Sequence, residues 1–331
     1  MGTLKTSHAD LLFKADTLSV FTIIRGEVFM IFHGIYTPLV TPFRPDYSVH
    51  DDELRHLVDS LLEARVHGLI VAGTTGEYYA QSINERIELM HAVIEYVDRR
   101  CPVIVGTGAL RTEESVELAS AATQAGADAL LIATPPYSQP TSKENALHAL
   151  SILENTDLPA MLYNYPGRMA AEMDEEFLDR VGQSSQIKAI KESSGDINRI
   201  HLLARQYPHI QLSCGMDDQA LEFFAWGAKS WVCAASNFIP EAHIALWRAC
   251  VIEGDFIKGR KIMMAMLPLL QILEQGGQFI QSIKHGLTLN GIDAGPPRRP
   301  LRPLNSSEKR QLTESIERLQ KTLACLQKDQ L

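Results

Sequence analysis

The chain has 331 residues, 45% of them hydrophobic and 21% charged, which supplies ample apolar material for a large core. A net charge of −9 and a pI near 5.7 argue against nucleic-acid or membrane-surface partners, both of which need basic footprints, and no apolar run approaches the roughly 18–20 residues of a membrane span. Five scattered cysteines without a CxxC pair fit buried thiols in a reducing compartment rather than a disulfide frame or a zinc knuckle, so a cytoplasmic location is expected.

Residues 1–29 do not read as a secretory signal, because no basic segment leads a continuous apolar core and no A-x-A site follows. They are expected to be an extension outside the fold, with Met30 as the native start. The competing expectation is a genuine but loosely ordered extension. Beyond it, short apolar runs alternate with longer amphipathic ones. The apolar runs are "GIYTPLV", "GLIVAG", "PVIVGT", "DALLIAT", "PAMLYN", "IKAIK", "IQLSCG" and "SWVCA"; helical patterns such as "DDELRHLVDSLLEARV" and "INERIELMHAVIEYVDRR" separate them. Eight strands, each followed by a helix, predict an α/β fold, a (β/α)8 TIM barrel over residues 30–254. A doubly wound open sheet is the alternative, but no G-x-G-x-x-G follows the first strand. Residues 255–331 are expected to form a C-terminal helical subdomain from "FIKGRKIMMAMLPLLQILEQ" and "SSEKRQLTESIERLQKTLACLQ", split by "GPPRRPLRPL".

In such barrels the chemistry sits at the C-terminal ends of the strands. "QIKAIKESSGD" puts two lysines in one of them. Strand side chains alternate, so Ile187, Ala189 and Lys191 should share one face, and Lys188 and Ile190 the other, toward the helices. An ammonium inside the barrel loses hydration, which lowers its pKa and frees an amine to attack a carbonyl. The alternative is a lysine paired with a carboxylate such as Glu192. Tyr163, ending the preceding strand, offers a phenol to shuttle the protons of imine formation, or simple packing. "GTTGE" presents hydroxyls and backbone N–H groups suited to a carboxylate, or is a bare turn. Arg168 either holds a second carboxylate or makes a surface ion pair, and Tyr137 either lines the pocket or packs. The eleven histidines show no ligand spacing, so neither a metal nor another cofactor is expected.

Taken together, "GIYTPLVTPF", "GTTGE", "VIVGTGA", "TPPY", "YNYPGR", "IKAIKESSGD" and "SCGMDD" resemble, in order and on the right strands, the dihydrodipicolinate synthase/N-acetylneuraminate lyase family of class I aldolases. The resemblance spans about residues 33–330. It implies a lyase in which Lys191 forms an imine with pyruvate or another 2-oxo acid and Tyr163 shuttles protons. Thr74 would relay protons to Tyr137, a tyrosine that the family lends across a dimer interface, so a homodimer or homotetramer is implied. Thr75, with the adjacent backbone at Gly73, would bind the 2-oxo acid carboxylate, Arg168 the carboxylate of a second substrate, and the backbone of Val232 would line the pocket. After "GTTGE", however, the chain carries Tyr78, Tyr79, Ala80, Gln81 and Ser82 where the synthases usually have Ser-(Ala/Pro)-Thr-Leu, and the two bulky aromatics should reshape the second-substrate pocket. "QS" is similar to the sialic acid lyases, yet those lack an arginine at the place of Arg168. The implied activity is that of 4-hydroxy-tetrahydrodipicolinate synthase. The alternatives are a catabolic dehydratase, aldolase or deaminase of a 2-oxo sugar acid or of pyrroline-4-hydroxy-2-carboxylate. A non-catalytic barrel that binds a 2-oxo acid is the alternative of another class.

Overall fold

The computed structural model describes residues 20–24 and 27–328. The expectations for residues 1–19, 25, 26 and 329–331 lie outside them. Two short strands, β1 (Val20–Ile24) and β2 (Glu27–Ile31), pair antiparallel, with Met30 opposite Phe21.

The eight predicted apolar runs each form a strand: β3 (Gly34–Pro38), β4 (Gly68–Val71), β5 (Val103–Gly106), β6 (Ala129–Ala133), β7 (Ala160–Asn164), β8 (Ile187–Glu192), β9 (Gln211–Cys214) and β10 (Ser230–Val232). They are parallel, and the pairing of β10 with β3 closes the ring, which rules out the open doubly wound sheet. Continuous aliphatic runs suit strands that are covered on both faces. Ile70, Ile104, Leu131, Met161 and Ala189 fill the barrel interior. Leu69, Val71, Val105, Leu130, Leu162 and Ile190 pack outward against the helices.

Helices occupy the expected connections, beginning with Asp51–Glu63, Ile83–Val97, Thr112–Ala125 and Ser142–Leu153. Two of them start with reciprocal caps, Ser82 with Glu85 and Thr141 with Glu144, each contributing about 1 kcal/mol. Three more helices follow the barrel: Phe256–Gln275, Phe279–Leu289 and Ser306–Lys328. The first and last match the sequence reading; the middle one was not predicted. Leu269, Leu270, Ile283, Leu287, Leu312 and Ile316 join the same apolar layer as the outward faces of the strands. The C-terminal helices thus share the core of the barrel. Among the described residues no helix is long and apolar enough to cross a membrane.

Candidate active site

Tyr163 and Lys191 are direct partners in the ladder between β7 and β8. The ladder orients both side chains inward, and the Lys191 ammonium nitrogen lies 4.1 Å from the centre of the Tyr163 ring. Ala189 and Lys191 share the interior face while Ile190 packs outward, as alternation requires. Ile187 departs from the expected pattern. The register shifts opposite Ala160 and Met161, so Ile187 packs outward with Ile190. Lys188 is half-buried. Gly215 of the neighbouring strand end leaves room for the lysine stem: a Cβ there would sit 2.8 Å from Lys191 Cγ and 2.7 Å from the Glu192 carbonyl.

Burial governs the electrostatics. Lys191 is 9% exposed, and desolvation lowers its pKa from the ordinary lysine value to about 8, against the attraction of Asp217 and Glu274. Burial pushes the Tyr163 phenol up to about 12, although the Arg168 charge and the Thr74 and Ser193 hydroxyls pull it back. Tyr163 therefore stays protonated at neutral pH. Among the described residues the buried Thr74 hydroxyl oxygen has no partner within full hydrogen-bond geometry. Asp217 accepts from the Trp231 indole N–H at 2.9 Å, and burial raises its carboxyl to about 6. The Glu192 expected as an alternative partner for Lys191 is engaged elsewhere. It accepts from the Asn164 amide at 2.8 Å and lies 3.6 Å from the Arg199 guanidinium.

The "GTTGE" turn is braced from several sides. The Thr41 hydroxyl and the Gln81 amide both donate to the Gly76 carbonyl, at 2.7 and 2.6 Å. Ser82 caps the next helix. Each member of the "QS" pair thus has a structural role, Gln81 bracing the turn and Ser82 starting the helix. Glu77 adopts a left-handed backbone at φ 60° and is fully buried. Its carboxylate meets the Lys284 ammonium at 2.9 Å and accepts from the Arg298 backbone N–H at 2.8 Å. Lys284 also donates to the carbonyls of Thr41, Ala294 and Pro296. A lysine of the unpredicted helix and the Pro-rich segment together anchor the turn that presents Thr74 and Thr75.

Six of the eight candidate residues meet in one cavity: Lys191, Tyr163, Thr74, Thr75, Arg168 and Val232 all line it. Gly73 stands just behind, its carbonyl accepting the N–H of Gly76 and closing the turn. Tyr137 is not brought to the cavity; it is 91% exposed and holds a left-handed backbone at φ 73°. Arg168 follows β7 on a single helical turn, Pro166–Met169, with its guanidinium over the rings of Tyr165 and Phe279 at 5.4 and 6.0 Å. Tyr78 is largely buried, its ring edge-on to Tyr79 and under the Arg86 guanidinium at 5.0 Å. Lining residues that were not among the candidates include Asp217, Tyr165, Glu274 and Phe279. Tyr165 was legible in "YNYPGR", but Glu274 and Phe279 come from C-terminal helices whose sequence carries no motif. Among the described residues no cluster of three or more metal-ligating side chains occurs.

The sequence profile of the Dihydrodipicolinate synthetase family matches residues 31–319. A 4-hydroxy-tetrahydrodipicolinate synthase of Bacillus velezensis is 34% identical, over 86% of this chain and 99% of its own length. The solved structure of the same enzyme from Methylacidiphilum fumariolicum superposes with a TM-score of 0.83 at 29% identity, covering 89% of this chain and 98% of that one. A prophage protein of the family from E. coli K12, solved in complex with pyruvate, gives a TM-score of 0.82 at 28% identity, over 88% and 99% of the two chains. The chain belongs to the dihydrodipicolinate synthetase family, a family of lyases.

Proposed function

We propose that the protein is a lysine-imine lyase that takes pyruvate or a related 2-oxo acid, with the condensation of 4-hydroxy-tetrahydrodipicolinate synthase as its nearest named activity. The observation that carries this reading is the pairing of Lys191 and Tyr163. An amine whose pKa is lowered to about 8 lies 4.1 Å from a phenol ring, in a cavity that also holds Thr75 and Arg168. Thr75 and the adjacent turn backbone hold the 2-oxo acid carboxylate, while the neutral amine attacks the C2 carbonyl. Tyr163, protonated, donates to the carbinolamine hydroxyl as it leaves as water. The resulting iminium draws electrons from C3, whose proton passes to the Tyr163 phenolate just formed, giving the nucleophilic enamine and restoring the phenol. Arg168, free of any carboxylate partner within 4 Å among the described residues, receives the carboxylate of the second reactant.

Tyr137 works across an interface in a homodimer or homotetramer, in the cytoplasm. Its near-complete exposure and its strained backbone support that role, since a left-handed tyrosine costs about 1–3 kcal/mol unless something is gained from it. Tyr78 favours a second reading for the other reactant. Its half-buried ring, near Tyr163 and Arg168 though outside the cavity lining, takes more room than a small residue, which supports a cleavage or dehydration reaction of a slimmer 2-oxo acid. Incubation with pyruvate and cyanoborohydride should add one reduced pyruvyl group at Lys191, located by peptide mass. A folded wild-type protein that acquires no such mass would dispose of the imine reading and leave a binding barrel.

A further inference from the structure

One carboxyl group of the cavity has no part in imine formation. Glu274 lies in the last turn of the helix Phe256–Gln275, so it reaches the barrel mouth from the C-terminal helices and not from a strand end. It lines the same cavity as Lys191, Tyr163, Thr74 and Arg168. Phe279, at the start of the following helix, lines it too and packs against the Arg168 guanidinium. Among the described residues no ion pair or hydrogen bond holds the Glu274 carboxyl; burial and surrounding charge alone set its state. The charged groups facing it are Lys191 of β8, Asp217 and Asp218 after β9, and Arg168 after β7. Burial, the largest influence, and the two aspartates oppose its ionisation, while Lys191 and Arg168 favour it. The balance raises its pKa to about 8, so the group carries a proton at neutral pH. A carboxyl that merely braced the fold would be tied to a partner. An untied, protonated one beside a nucleophile and an arginine is a donor facing the space where a substrate must lie.

We propose that Glu274 is the catalytic acid for carbon–carbon bond formation, protonating the oxygen on C4 of a 2-oxo acid that is tethered at Lys191 and bears a second carboxylate held by Arg168. The proposal rests on the imine reading above. In the addition direction the enamine C3 bonds to an aldehyde carbon, and the C=O π pair moves onto oxygen. The Glu274 proton completes the hydroxyl, and the enamine returns to an iminium. In reverse, the Glu274 carboxylate takes the hydroxyl proton, the C3–C4 bond breaks, and its electron pair flows into the iminium. Solvent restores the proton state of Glu274, and no oxidant, reductant or cofactor is consumed. The substrate class is therefore a 4-hydroxy-2-oxo acid with a distal carboxylate, or pyruvate with the matching aldehyde.

The test compares the full-length wild type with Glu274→Gln and Glu274→Asp in three measurements. The first is cyanoborohydride trapping of pyruvate at Lys191, and the second is exchange of the pyruvate C3 protons with deuterated water. The third is turnover of pyruvate with aspartate semialdehyde and cleavage of 4-hydroxy-2-oxoglutarate. Glu274→Gln should keep trapping and exchange near the wild-type level yet lose about 10²–10⁴-fold in turnover. In the wild type, addition should fall and cleavage should rise as pH climbs through about 8; both dependences should vanish in Glu274→Gln, and Glu274→Asp should recover part of the rate. Turnover of Glu274→Gln within about threefold of wild type, or equal losses in trapping, exchange and turnover, would remove the acid role while leaving the imine reading intact. A wild type that forms the adduct but turns over neither reactant pair would overturn the substrate class. A wild type with no adduct would instead overturn the imine reading itself.

Discussion

The most quantitative consequence of the site concerns how much free amine Lys191 offers. Burial brings its pKa from the ordinary 10.5 to about 8. At pH 7 a group titrating at about 8 is roughly 9% neutral, whereas one at 10.5 is about 0.03% neutral, so burial raises the nucleophile concentration about 300-fold. The second-order rate of pyruvate trapping by the free enzyme should follow that titration. It should climb about tenfold per pH unit below 8 and level off above it. Quenching with cyanoborohydride at short times across pH 6–10, with adduct counted by intact mass, reads this directly. The neighbouring charges supply an internal control. Glu274, when ionised, raises the Lys191 pKa, so Glu274→Gln should move the inflection to lower pH. A rate that keeps climbing to pH 10, with its inflection near the ordinary lysine value, would refute the argument that desolvation activates the amine.

Four further outcomes follow from the geometry. Lys191→Ala should abolish trapping and turnover while Lys188→Ala, at a half-buried position nearer the start of the same strand, leaves both near wild type; equal losses would show the parity argument wrong. Tyr163→Phe should lower kcat by about 10²–10⁴-fold, measured by pyruvate consumption, and near-normal kcat would take the phenol out of the proton path. Lys284→Met leaves the Glu77 carboxylate buried without its ammonium, and urea unfolding should show a loss of about 3–5 kcal/mol, part of which Glu77→Gln restores; a change below about 0.5 kcal/mol would mean the pair does not anchor the turn. Mixing inactive Lys191→Ala and Tyr137→Ala chains should restore about a quarter of wild-type turnover, because random two-fold dimers rebuild one intact site in each mixed pair; no recovery would confine Tyr137 to its own subunit.

What the sequence made legible is bounded by periodicity and local motif. The eight strands were readable because aliphatic runs buried on both faces differ sharply from amphipathic helices. The order of the site residues followed from the rule that barrel chemistry sits at strand ends. Ile187 escaped because one shifted register opposite Ala160 reverses its face, and nothing in "QIKAIKE" signals a bulge. The helix Phe279–Leu289 was missed because "QGGQ" before it reads as a break and the Pro-rich segment after it hides its end. For Gln81 and Ser82 the sequence pattern suggested only a family likeness, and the roles as loop brace and helix cap became visible in the structure. Glu274 was illegible in principle. It is one of 40 acidic residues, and its protonation depends on tertiary neighbours, not on its own helix.

The reagent and the conditions that make it reactive thus come from different parts of the chain. Motifs along β4, β7 and β8 supply the hydroxyls, the phenol and the amine. Glu274 and Phe279, which close the same cavity, are contributed by helices with no motif at all. Desolvation has a cost in the folded state. A lysine held at about 8 instead of 10.5 opposes folding by about 3 kcal/mol at pH 7. The sign is fixed by the direction of the shift. With the folded pKa below the unfolded one, the cost is complete below pH 8 and disappears as pH rises toward 10.5. Such a penalty persists only where the surrounding structure is firm enough to impose it. The Lys284–Glu77–Arg298 anchor and the core shared between barrel and C-terminal helices provide that firmness. The C-terminal helices are therefore part of the active site in the energetic sense, even though only two of their side chains line the cavity at its centre.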